Sequence, residues 1–193
     1  MNSLFKCVGC FIVVLGLFAC GSSGPATTYY GLFPNDDFKA RGNAKMIQSL
    51  GVGPIDLPEY LDTTALVSKS DTNVINVSGY HAWAEPLDAS IARVVAANMG
   101  ALLDLDVWAF PWDARHRPNN QIKIIIESLE GVRGANVSMK AKWFVYSLDH
   151  KTILKQSNFT ATQRLNSKKY AAYVAAIQKN IDELSAHIAS ELQ

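Results

Sequence analysis

Gln121-Ile122-Lys123-Ile124-Ile125-Ile126-Glu127-Ser128-Leu129 is the stretch whose reading decides the fold. Three consecutive isoleucines place apolar side chains on both faces of an extended chain, so the segment reads as a central strand covered on both sides. Gly131 and Gly134 punctuate the turn behind it. From Val137 the pattern becomes alternation, with Val137, Met139, Ala141 and Trp143 directed inward and Ser138, Lys140 and Lys142 outward. Asp149-His150-Lys151 reads as a hairpin turn into a further strand over 152–162. A helix closes the chain, capped near Asn166 or Ser167. Its apolar stripe is Tyr170, Val174, Ile177, Ile181, Leu184, Ile188 and Leu192. Packing against the sheet is the commoner fate of such a stripe than a coiled-coil seam.

Upstream of the central strand lies the clearest helix start. Pro86 suits a first helical position after Glu85 at the cap, because its missing N–H costs nothing there. Leu87, Ile91, Val94, Val95 and Leu102 then recur at helical spacing, ending near Asp104, with Trp83 placed to staple the first turn. A short strand is expected over 106–112. Residues 65–69 and 74–78 form a hairpin around Asp71-Thr72-Asn73. The region 46–58 carries β-type residues interrupted by Gly51, Gly53, Pro54 and Pro58. Its glycines permit close backbone approach or a bulge, and its prolines suit an edge or strand end. A short strand near Tyr29 opens the folded part, and 35–44 reads as a loop. Five or six strands and two long helices in this order define an α/β domain with a mixed sheet.

The N-terminus carries a different message. Leu17-Phe18-Ala19-Cys20 ends an apolar run that begins at Cys7 and follows Lys6. Residues 7–19 are too short for a spanning helix, which needs about 20 apolar residues. The pattern is that of a bacterial lipoprotein signal, with small Ala19 before the cleavage point and Cys20 as the thiolate to be acylated. An uncleaved anchor or a secretory peptide cut elsewhere is the alternative. The expected organisation is a signal peptide over 1–19, a small-residue flexible tether over 20–28, and one domain over 29–193. Gly21 follows the cysteine where Asp would signal inner-membrane retention. The expected location is therefore the periplasmic face of a Gram-negative outer membrane, with palmitate among the acyl chains.

Composition narrows the function. The 193 residues carry 18 Lys and Arg against 17 Asp and Glu. Removing residues 1–19 deletes Lys6 and no acid, leaving 17 of each sign. That balance gives no electrostatic case for nucleic acid or for generic binding to anionic lipid. All 3 cysteines lie at positions 7, 10 and 20, so the mature domain has no thiol for a disulfide, metal site or nucleophile. His81, His116, His150 and His187 are scattered without a ligand-like spacing. No G-x-S-x-G elbow occurs, and Gly51-Val52-Gly53 lacks the rest of a phosphate loop. The expectation is a non-catalytic binding domain without a cofactor. Tyr80, Trp83, Trp108, Phe110 and Trp112 suit either core filling or a docking surface, core filling being the commoner use.

Three stretches carry a family resemblance. Gly51-Val52-Gly53-Pro54-Ile55-Asp56-Leu57-Pro58-Glu59-Tyr60-Leu61-Asp62 resembles a G-x-G-P-x-x-L-P-x-Y-L-D signature, Trp83-Ala84-Glu85-Pro86-Leu87 a W-A-E-P-L helix start, and Phe110-Pro111-Trp112 a later P-W element. With the lipoprotein signal, they resemble the PqiC (YmbA-like) lipoproteins, auxiliary components of ABC-type and MCE-linked transport. The resemblance implies a three-layer α/β domain with a mixed sheet, like the anticodon-binding-type fold. It also implies a PqiB-like MCE-domain partner that bridges the periplasm in intermembrane lipid transport, and assembly into a homo-oligomeric ring. Pro54, Leu57, Pro58, Tyr60, Trp83, Glu85 and Trp112 are the candidate docking residues. The rivals are a stand-alone periplasmic lipid carrier and a cell-wall-associated lipoprotein, such as a hydrolase.

Overall fold

The computed structural model describes residues 24–40, 49–113, 115 and 117–193. The signal segment, Cys20, the first part of the tether and the run from 41 to 48 lie outside them. In chain order the elements are β1 (Thr28–Tyr30), β2 (Leu50–Asp56), a 3-10 turn (Glu59–Leu61), β3 (Ala65–Asp71) and β4 (Val74–Trp83). There follow α1 (Leu87–Leu103), β5 (Val107–Ala109), β6 (Asn120–Val132), β7 (Asn136–Ser147), β8 (Thr152–Arg164) and α2 (Tyr170–Leu192).

The strands make one 8-stranded mixed sheet. The first half of β6 pairs parallel with β2, which pairs parallel with β5 on its far side. Along its other edge β6 runs antiparallel to β7, and β7 to β8. The end of β6 meets β3 through Lys69 and Val132. Beyond it lie the antiparallel β3–β4 pair and β1, parallel to β4. Strand β6 therefore shares one edge between two neighbours, β2 and then β3.

Register fixes which residues meet. Ile122, Ile124 and Ile126 lie opposite Val145, Trp143 and Ala141. All six are nearly or fully inaccessible and join the main core with Val52, Ile55, Val137 and Met139. The alternation read from Val137 to Trp143 thus describes the packing. Ala92 of α1 approaches β2 at Gly53, while His187 of α2 packs edge-on against Trp143 with ring centres 6.0 Å apart. The helices also bond to each other, since Asn98 of α1 donates to Asp182 and Ser185 of α2 at 3.1 and 3.3 Å. Both helices therefore cover the same face of the sheet.

That arrangement corrects two expectations, three layers and a central strand covered on both sides. Opposite the helices, Lys123 pairs with Asp56 at 2.9 Å and Lys142 with Glu127 at 2.6 Å. Ile125 sits among these charges, directly across from Lys142. Among the described residues no helix covers this face, and the α/β mixed sheet stands with two layers. The sheet has 8 strands rather than five or six, and its two shortest, β1 and β5 with 3 residues each, fall where short strands are expected, near Tyr29 and within 106–112.

Both helix starts shift slightly. Helix α1 begins at Leu87 with Pro86 as its cap residue, and it ends on Asp104 in a left-handed conformation at φ 54°. Helix α2 begins three residues beyond Ser167 with Lys169 at the cap. The Ser167 hydroxyl accepts from the Lys169 N–H in a local turn, so it is used before the helix starts. None of the described helices is long and apolar enough to cross a membrane.

Candidate functional site

The first signature and the P-W element are one structure. Strand β5 lies beside the start of β2, with Gly51 opposite Trp108 and Val52 opposite Ala109. The Phe110 N–H then donates to the Val52 carbonyl at 2.8 Å. Gly51 faces the indole of Trp112 and the ring of Pro118, where a Cβ would come within 2.6 and 2.7 Å. Gly53 has φ +111°, a conformation that side chains rarely adopt, and its missing Cβ makes room for the Cβ of Phe110. Here β2 bulges between Val52 and Ile55, and the Gln121 amide donates to the Gly53 carbonyl at 2.7 Å. The bulge lets Pro54 sit inside a flanked strand, rather than at an edge or strand end.

The product is an aromatic ledge. Phe110 meets Trp112 edge-on with ring centres 5.2 Å apart, and remains 45% exposed. Trp108, Pro111 and Trp112 border a shallow, mainly apolar hollow of about 440 Å³. Pro54 and Trp112 belong to this region through β2 and the segment after β5.

The other five predicted residues lie elsewhere. Leu57 is half-buried against the core and leads through Pro58 into the 3-10 turn. The Tyr60 hydroxyl donates to Glu130 of β6, whose other carboxylate oxygen pairs with Lys69 of β3 at 2.7 Å. Burial, reinforced by the bond to Glu130, raises the pKa of the Tyr60 hydroxyl. Burial likewise raises that of Tyr173, whose oxygen accepts from the Gly131 N–H at 3.0 Å. Tyr60 therefore ties the signature loop to the central strand. Trp83 is only 6% exposed, and its backbone N–H donates to the Thr64 carbonyl at 2.7 Å. Glu85 accepts from Ser90 at 3.0 Å and pairs with Arg93, which also donates to the Leu32 carbonyl at 2.9 Å. The Arg93 guanidinium holds the Glu85 carboxyl below its ordinary range. The W-A-E-P-L element thus locks α1 to the N-terminal segment.

A second concavity escaped sequence reading. Tyr30, His81, Arg133, Lys168, Lys169 and Tyr170 line a cleft of about 410 Å³. His81 stacks on Tyr170 at 4.0 Å and bonds to the Tyr30 hydroxyl at 3.0 Å. The Arg133 guanidinium lies 4.3 Å over the Tyr170 ring and donates to the Lys168 carbonyl. A neighbouring hollow of about 220 Å³ shares Arg133 and Lys168. No group of His, Cys, Asp and Glu suited to a metal ion occurs among the described residues.

Fold and surfaces together define a mixed-sheet α/β domain that presents an aromatic ledge and a basic cleft. The chain belongs to the ABC-type transport auxiliary lipoprotein component family, whose model matches residues 30–189. Solved structures share the fold. One, of an uncharacterized protein, is 16% identical with TM-score 0.71, over 88% of this chain and 100% of that one. Another, from Xanthomonas campestris, is 14% identical with TM-score 0.64, over 83% and 92% of the two chains. No curated protein matches the chain at a significant level.

Proposed function

We propose that this protein is an outer-membrane-anchored lipoprotein that docks the periplasm-spanning, MCE-domain component of an intermembrane lipid transport system. Residues 1–19 direct export, acylated Cys20 holds the chain to the membrane, and the domain from residue 29 serves as receptor. The role is mechanical, bringing the end of a lipid-conducting assembly to the membrane without chemistry on a substrate.

The observation that carries the reading is the ledge. A rigid backbone platform at Gly51 and Gly53 holds Phe110, Pro111 and Trp112 partly exposed beside an apolar hollow. Exposed, immobilised aromatic residues are the usual anchors of protein interfaces, because they bury much area for little lost side-chain entropy. Pro54 and Trp112 remain the docking residues of choice, whereas Leu57, Pro58, Tyr60, Trp83 and Glu85 lie away from the ledge, in the turn after β2 and at the start of α1.

The test is crosslinking of the anchored protein in cells, purification from membranes and identification of the adduct. An MCE-domain protein attached to the native chain, and lost from a Phe110→Ala, Trp112→Ala variant that still folds, supports the reading. Lipid or peptidoglycan as the sole adduct overturns it in favour of a lipid carrier or a cell-wall role.

A further inference from the structure

We infer that the Arg133–Lys168–Lys169 cleft binds the phosphate groups of membrane lipids and sets the domain's orientation on the bilayer that anchors it. The inference rests on the lipid-anchor reading for the distance to the membrane, and on the structure for the site itself.

Cation clustering is the first observation. The chain is nearly neutral overall, yet Arg133, Lys168 and Lys169 converge on one cleft, and among the described residues none of the three pairs with a carboxylate. Lys69, at the adjoining hollow, is paired with Glu130 and is not counted among them. The cleft is also preorganised. Tyr170 is held between the His81 ring and the Arg133 guanidinium, and Arg133 donates to the Lys168 backbone carbonyl, which fixes the guanidinium at the segment that carries Lys168 and Lys169. A fixed guanidinium in one cleft with two lysines suits a phosphate oxygen cluster.

The path of the chain selects the source of that phosphate. Tyr30 of β1 lines the cleft, and Thr28 pairs with His81. The eight residues from Gly21 to Thr28 span at most about 28 Å when fully extended. A domain held by Cys20 therefore keeps this cleft near the headgroup region. Strand β4, which supplies His81 to the cleft, also exposes Val74, Val77 and Tyr80 at 50, 63 and 53%. Exposed apolar and aromatic side chains on a strand that also lines a basic cleft are the composition of an interfacial surface.

The experiment uses the full, processed chain in phosphatidylcholine–phosphatidylglycerol vesicles and in maltoside micelles, which contain no phosphate. Its intact mass reports acylation at Cys20, so failure of the anchor reading is seen separately from failure of the cleft. An amine-reactive label then reads Lys168 and Lys169, with exposed Lys179 as reference. Each basic residue near an anionic surface contributes roughly fivefold to binding. Labelling of Lys168 and Lys169 should therefore slow by at least about fivefold in vesicles relative to Lys179. Arg133→Gln should restore part of the reactivity of both lysines. Unchanged labelling relative to Lys179 overturns the inference. Equal protection in micelles given inorganic phosphate alone also overturns it, by assigning the cleft to a free anion.

Discussion

The ledge and the cleft are both surface concavities, but they are built in opposite ways. The ledge is made by the backbone: Gly51 admits the Trp112 ring, Gly53 turns at a positive φ, and Phe110 is bonded to Val52. The cleft is made by side chains delivered from β1, β4, the β6–β7 turn and the start of α2, with cations that have no carboxylate partners among the described residues. Damage to the ledge should therefore appear as lost stability as well as lost docking. Damage to the cleft should leave stability unchanged.

The strongest way to break the contrast is to remove what supports the helix-covered sheet. Trp143 is fully inaccessible between β7 and α2, so Trp143→Ala should cost about 3–5 kcal/mol, read by denaturant unfolding. Gly51→Val comes next. Its side chain must displace the Trp112 and Pro118 rings, and overpacking of this kind costs about 1–3 kcal/mol. The same variant should lower crosslinking from the ledge while sparing the lysine protection pattern of the cleft.

Tyr60→Phe should cost about 1–2 kcal/mol in thermal unfolding, because it leaves one oxygen of a mostly buried carboxylate short of a donor. This position also carries a pH signature. The folded-state pKa values of Tyr60 and Tyr173 are raised above 10.0, so the neutral hydroxyls are the forms that the fold holds. Their contribution is fully present below about pH 10 and is lost as pH rises through the folded values. Stability should fall above pH 10, less steeply in Tyr60→Phe. The smallest effect belongs to the cleft: Lys168→Gln with Lys169→Gln should change unfolding by less than about 0.5 kcal/mol.

The same contrast explains what could be read in the sequence. The ledge was legible because its glycines and prolines are punctuation within short stretches, and strand β7 because Val137 to Trp143 alternates cleanly. The layer count was not. Three isoleucines in a row imply two apolar faces, but register sets Lys142 across from Ile125, beside the salt-bridged Lys123. The cleft was invisible for a related reason: Tyr30, His81, Arg133 and Lys168 share no local spacing, and charge balance over the chain concealed their convergence. The seven residues grouped as a docking surface also separated. Sequence motifs mark positions under constraint, and at Tyr60, Trp83 and Glu85 the constraint is internal bonding or burial.

The most direct measurement places a photoreactive side chain at Pro111 in one variant and at Lys168 in another, in cells that make the full lipoprotein. The account predicts an MCE-domain protein attached at position 111 and phospholipid attached at position 168. The same adduct at both positions, or the two reversed, would contradict the division of the molecule into a protein-facing ledge and a membrane-facing cleft.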